Sequence, residues 1–238
     1  MSGNKIQEET VLTRREEALK LLGCNPFGDC NKVWISGVIE EELTYDHKWG
    51  NENFYRTRIK VKRPKGKEDY VPIMISEFLL NDYQEISIKG KIVEVGGRFH
   101  SFYKMDEKVN SNWQTYVFVT LIKFHETLEE LEDEMDLNAV YLEGQVHRGP
   151  FPKVLPSGRK VSEVLLKVNR GSHNGRYSYI LCVAWDGYAN CINNLKNGEK
   201  IKLYGKVHSR NYVIKYEDHN DYKEAYEISI VKIIETGI

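Results

Sequence analysis

The feature that most constrains this chain is that it is written twice. NKVWISGVI at 31–39 aligns with NAVYLEGQV at 138–146, 107 residues further on. IKVKR at 59–63 falls on LKVNR at 166–170 at the same spacing, and DYVPIMIS at 69–76 falls on SYILCVAW at 178–185 at 109. ISIKGKI at 86–92 reads over IKLYGKV at 201–207 at 115, and VFVTLIKF at 117–124 reads over YEISIVKI at 226–233 at 109. Solenoid repeats recur every ~20–50 residues, so a period this long implies a duplicated domain. A chain of 238 residues holds two domains of about 100 residues each.

Every matched segment is strand-like. In FYRTRIKVKR at 54–63, Tyr55, Thr57, Ile59 and Val61 alternate with Arg56, Arg58, Lys60 and Lys62, giving one apolar and one cationic face. The first copy predicts strands over 31–43, 54–63, 70–75, 85–94 and 113–124, with 44–51 as a loop and the glycines at 96–97 as a bulge. The second predicts strands over 138–146, 162–170, 177–185, 200–216 and 222–234. After its third strand comes DGYANCINNL, read as a short helix with Asp186 as its cap. The first copy has only Ser76–Asp82 there, a connector or helical turn.

Five strands per copy, with a short helix after the third, is the order of the OB barrel. The expected fold is all-β with short helices: two tandem OB-fold five-stranded Greek-key barrels. Residues 1–30 form an N-terminal helix (8–22) and connector, 31–125 the first barrel, 126–137 an acidic helical linker and 138–238 the second barrel. The acidic stretch also reads as a solvated linker.

The formal net charge of -1 hides a division. Six acids and no bases fall in 128–137, whereas residues 138–238 carry 15 bases and 10 acids. The C-terminal half is therefore basic alone, which suits a polyanionic partner. The 15 Tyr, 8 Phe and 4 Trp supply either strand packing or stacking surfaces. No apolar run reaches the length of a membrane span, and the N-terminus lacks the apolar centre of a secretory signal. A cytoplasmic location follows as an expectation. Cys24, Cys30, Cys182 and Cys191 are read as free thiols, with a Cys24–Cys30 bridge left open as an alternative.

No catalytic set emerges: no phosphate loop with its Lys, no Gly-x-Ser-x-Gly elbow, no His-Glu-x-x-His. No cofactor or metal is expected. The seven His are scattered, and His100 and His208 are given neutral surface or stacking roles.

The second copy resembles the bacterial single-stranded DNA-binding protein (SSB) family. The resemblance rests on NAVYLEGQV followed by Pro150, LPSGRKV at 155–161, LLKVNR at 165–170, YSYILCVAWDGYAN at 177–190 and NGEKIKLYGKVHSRNY at 197–212, in family order. The first copy matches more loosely. The resemblance implies base-stacking roles for Tyr179, Trp185 and Tyr212. The matching positions of the first copy are Tyr70, then Ser76, then no aromatic in register, though Phe99, Phe102 and Tyr103 lie close by. Family members typically continue into a flexible tail ending in acidic residues and Phe. This sequence stops at IVKIIETGI, so recruitment through such a tail is not expected of it.

Single strands are held by aromatic stacking and by cations along the phosphates. The expected nucleic-acid contacts are Tyr179, Trp185 and Tyr212 with Arg148, Arg170, Lys206 and Arg210. In the first barrel Tyr70 holds the matching stacking position, and Arg56, Arg58, Lys60 and Lys62 form a phosphate track or a solvated face. Tyr179 and Trp185 share alternation with Leu181 and Val183, so core roles compete with exposure. The expected function is coating of single-stranded DNA in replication, repair or recombination, by a homodimer presenting four OB folds. The alternatives are an SSB-like protein-interaction module and an RNA binder.

Overall fold

The computed structural model describes residues 16–24, 29–63, 66–81, 87–104, 112–127, 137–170, 175–215 and 218–237. A short helix, α1 (16–20), precedes eleven strands. They are β1 (Asn31–Ile39), β2 (Thr44–Trp49), β3 (Glu52–Lys62), β4 (Glu68–Ser76), β5 (Ile92–Lys104), β6 (Asn112–His125), β7 (Asn138–Val154), β8 (Lys160–Asn169), β9 (Tyr177–Trp185), β10 (Lys200–Lys215) and β11 (Asn220–Thr236). A second helix, α2 (Gly187–Ile192), follows β9, and a 3₁₀ turn at Glu77–Leu80 takes its place after β4.

Each copy closes on itself. β1 pairs with β3 and β5, β5 with β6, β6 runs parallel to β4, and β4 pairs with β3. In the second copy β7, β8, β9, β11 and β10 form the same ring, with β9 and β11 parallel. These are two OB barrels. Their cores hold Ile59 and Val61, from the apolar face that alternation assigned to 54–63, with Val71 and Ile73, Val164 and Leu166, and Ile180 and Cys182.

The barrels join through β1 and β7, which pair antiparallel. Val33 and Val140 occupy the same place in the repeat and are partners in this ladder, so a local two-fold axis passes between them. The repeat extends to single hydrogen bonds. Asn31 donates its amide to the Phe99 carbonyl at 2.8 Å and accepts the Phe99 N–H at 3.0 Å. Asn138 does the same with Val207, at 2.8 Å in both directions. Both side chains are buried where the ladder to β5 or β10 runs out.

Several expectations are corrected. Residues 44–49 form a strand, because β2 makes a hairpin with β3 rather than a loop. The fourth strand of the first copy does not span 85–94. Residues 87–91 are turn, with Gly90 at φ +80°, and β5 starts at Ile92. The counterpart of IKLYGKVH at 201–208 is therefore VEVGGRFH at 93–100, 108 residues apart, not ISIKGKI. Gly97 and Gly205 are equivalent there: a Cβ on Gly97 would collide with the Phe118 carbonyl, and one on Gly205 with Ile228. The closing strands align at 111, since Val117 and Ile228 take the same place beside Ile73 and Cys182. The ladder of β5 shifts at Gly96/Gly97, as the bulge reading predicted.

Asp186 holds the N-cap position of α2, and its carbonyl accepts from the Asn190 N–H at 3.3 Å, but its side chain does not cap the helix. It sits at φ +48° with no side-chain bond to the helix, and its carboxylate instead accepts from Arg159 at 2.9 Å and from the Lys160 N–H at 3.3 Å. Cys24 and Cys30 form a disulfide, so these two thiols are not free. Residues 8–15 of the expected first helix and 128–136 of the acidic linker lie outside the described residues. Leu19 and Leu22 pack on Trp34, Leu137 and Ala139, so the segment beginning at α1 covers the outer side of the sheet where the barrels meet. This is why both faces of β1 are buried, although its sequence alternates. Among the described residues, no helix is long and apolar enough to cross a membrane.

Candidate nucleic-acid interface

The outer face of β9 presents Tyr177, Tyr179, Leu181 and Trp185, all half-buried, while Ser178, Ile180, Cys182 and Ala184 point inward. Only Val183 breaks the row, because it is buried on the outer side. The competition between core and surface roles is thus resolved for Tyr179 and Trp185 without a bulge.

Cations sit on these rings. Lys167 of β8 lies 3.9 Å from the Tyr177 centroid and is directly opposite Tyr179 in the ladder. Arg159 lies 4.6 Å from the Trp185 centroid and also pairs with Asp186. A cation over a ring face is attracted to its quadrupole. His147 of β7 packs against Tyr179 with centroids 4.8 Å apart, and Arg148 beside it is exposed. Arg170 hydrogen-bonds Ser178 at 3.1 Å. Arg148 pairs with Leu165, which faces Leu181, so Tyr179, Trp185 and Arg148 share the outer face, whereas Arg170 turns to the Ser178 side at the end of β8.

The remaining expected contacts of the second copy lie elsewhere. β10 and β11 run beyond their barrel as an arm that carries Lys206, Arg210 and Tyr212 and crosses the first barrel. Tyr212 is exposed, and Arg210 pairs with Glu227 at 3.3 Å. At the crossing, Arg58 of β3 pairs with Glu224 of the arm and donates to the Tyr226 hydroxyl at 3.1 Å. Arg63 pairs with the fully buried Asp69 and donates to the Ser209 carbonyl at 2.8 Å, while Asp69 accepts the Ser209 N–H at 2.5 Å.

The row of cations on β3 is thereby largely matched by acids. Arg56 meets Asp46, Arg58 meets Glu224, and Lys60 meets Glu40 at 3.3 Å, while Lys62 at the end of the row is exposed. Arg58 also lies 5.5 Å over the ring of Tyr70, whose hydroxyl donates to Glu68 at 2.9 Å.

The first barrel sends a matching arm, β5–β6, across the second. Its Trp113 meets Tyr179 edge-on at 6.5 Å, and its Phe102 lies 4.5 Å under Arg170. Sequence reasoning missed Trp113, His147, Lys167 and Arg159. Lys167 and Arg159 stand inside the stretches that carry the family resemblance, but a contact made by the other barrel leaves no local trace.

His100 and His208, equivalent in the repeat, are half-buried in the arms. Burial, with Arg170 and Arg98 adding to it, holds His100 down to about 3. Burial, then Arg63, brings His208 down to about 4. Both are neutral, as expected, and His100 stacks on Phe118 at 5.7 Å.

The architecture defines a class: a tandem OB-fold protein with interlocked arms. Residues 137–234, the second barrel, match the model of the Single-strand binding protein family. Among solved structures, a deletion variant of the single-stranded DNA binding protein from Thermus aquaticus superposes with a TM-score of 0.67 at 18% identity, covering 87% of this chain and 94% of that one. The wild-type protein gives 0.66 at 17%, over 87% and 92%. At these identities the likeness establishes the tandem-barrel fold. The N-terminal domain of PriB from Thermoanaerobacter tencongensis matches at 25% identity and a TM-score of 0.35, covering 41% of this chain and 98% of that one. No curated protein matches the sequence.

Proposed function

We propose that this protein binds single-stranded DNA with little sequence preference, using the outer face of the second barrel. The observation that carries the reading is the aromatic row of β9 with cations seated on its rings: Lys167 on Tyr177 and Arg159 on Trp185. Stacking suits any base, and the cations suit any phosphate, so the face selects for an unpaired strand rather than for a sequence. The match of the second barrel to the Single-strand binding protein family supports the same reading. Arg148 extends the face, and Arg170, seated over Phe102 at its margin, adds charge beside it. Lys206, Arg210 and Tyr212 continue the path onto the β10–β11 arm. The first barrel, whose Arg56, Arg58 and Lys60 already hold acids, contributes less, through Tyr70 and Lys62.

Titration with oligo-dT tests this. Trp and Tyr fluorescence is quenched at low salt, and affinity falls as salt rises because bound phosphates release counterions. Trp185→Ala weakens binding roughly 5- to 100-fold, the loss of one stacked base. Absence of quenching at low salt would leave an SSB-like protein-interaction module, and equal competition by oligo-rU would make the protein an RNA binder as well.

The reading extends to roles in replication, repair or recombination, and to a homodimer presenting four OB folds, which a mass measurement with and without oligo-dT checks. It also extends to a cytoplasmic location.

A further inference from the structure

The local two-fold builds the same junction twice: an arm of one barrel crosses the β3–β4 or β8–β9 face of the other. The two junctions are not chemically alike. In the ladder of β5 and β6, Tyr103 faces Trp113. In the equivalent ladder of β10 and β11, Asn211 faces Glu224. So where the second arm brings Glu224 to Arg58, the first brings Trp113 to Tyr179. The fixed acid of the first barrel is also replaced. Asp69, which binds Arg63, has Ser178 as its counterpart, and this serine accepts from Arg170 instead. Both carboxylates that close one junction are thus missing from the other, and an aromatic pair stands in place of one of them.

We propose that Trp113 and Tyr103 of the first barrel complete a nucleobase site on the second, so that the bases of a bound single strand stack in a cleft made by both barrels. This rests on the single-strand-binding reading given above. Trp113 and Tyr103 meet edge-on at 5.8 Å, and each is about half exposed (47% and 50%). A buried structural pair would not leave its rings in water, whereas a stacking platform must. Their neighbour Tyr179 lies opposite Lys167, and His147 and Arg148 flank it, so positive charge lines the cleft on the side where phosphates would run. At the closed junction, ion pairs within the chain occupy the corresponding space.

Two variants of the full chain test the proposal against oligo-dT. Trp113→Ala lowers affinity roughly 5- to 100-fold, as for a stacked base. Trp113→Glu, which copies the acid of the closed junction, lowers it further and steepens the loss with salt. A third protein, with Trp49→Phe and Trp185→Phe, leaves Trp113 and the buried Trp34 as reporters, and oligo-dT quenches it. Thermal melting verifies that each variant is folded. If wild type binds oligo-dT while Trp113→Ala binds equally well and the reporter is not quenched, the composite site is overturned and the function stands. If wild type itself does not bind, the function falls and the site with it.

Discussion

At the scale of single residues, the arms are set by side chains that cannot tolerate charge or loss of a partner. His100 and His208 are neutral in the fold but titrate near 6.5 once unfolded. The unfolded chain therefore binds more protons between about 6.5 and 3, and stability falls as pH drops through that window. Glu227 acts in the other direction. Desolvation raises its carboxyl, so its contribution disfavours the fold as pH climbs past 4.5. The histidines dominate below neutrality, so the urea midpoint is expected to be lower at about pH 5 than at about pH 7.5, with the difference shrinking in His100→Phe. Asn138 offers a second test. Asn138→Ala strands a buried N–H and a buried C=O of Val207, which costs about 2–4 kcal/mol, read as a lower midpoint at unchanged urea slope.

These residues were unequally legible in the sequence. Alternation placed Tyr179 and Trp185 on one face, and the family resemblance gave that face its role. Asn31 and Asn138 head aligned segments, but nothing in the sequence says that their amides reach Phe99 and Val207. His100 and His208 are polar, and only the fold of the arms brings them to half-buried positions.

At the scale of elements, the arms latch the barrels together. Asp69 anchors the second arm by accepting from both Arg63 and Ser209. Asp69→Ala leaves Arg63 without its partner and the Ser209 N–H without an acceptor, a loss of about 3 kcal/mol. Limited proteolysis is expected to cut the β10–β11 hairpin faster in this variant, with the β5–β6 hairpin unchanged. Unchanged cleavage of both would mean that Asp69 is not the latch. Strand existence was read correctly for most of the chain, yet the fourth strand of the first copy was misaligned. ISIKGKI looks like IKLYGKV because both place Gly-Lys after an isoleucine-led run. Gly90, however, serves a turn at positive φ, while Gly205 serves close strand approach. The two needs leave the same letter in the sequence. β2 was missed because TYDHKW has exposed or half-buried positions throughout, with no apolar face to betray an edge strand.

At the scale of the whole molecule, the covalent link between the halves has a consequence. Two identical barrels paired about a true two-fold must present identical junctions, so a strand laid across them meets the same chemistry from either end. Here both halves lie in one chain, and each half is free to change alone. One junction has become an ion-paired clasp around Glu224, and the other an aromatic cleft around Trp113. A strand bound by such a molecule would run in a single direction. Its 5′ and 3′ ends would be told apart by the protein, although no base sequence is read. An oligo-dT labelled at one end should transfer energy to a dye on the second arm far more efficiently than the same oligomer labelled at the other. Two identical barrels about a true two-fold could not give that polarity across their junctions.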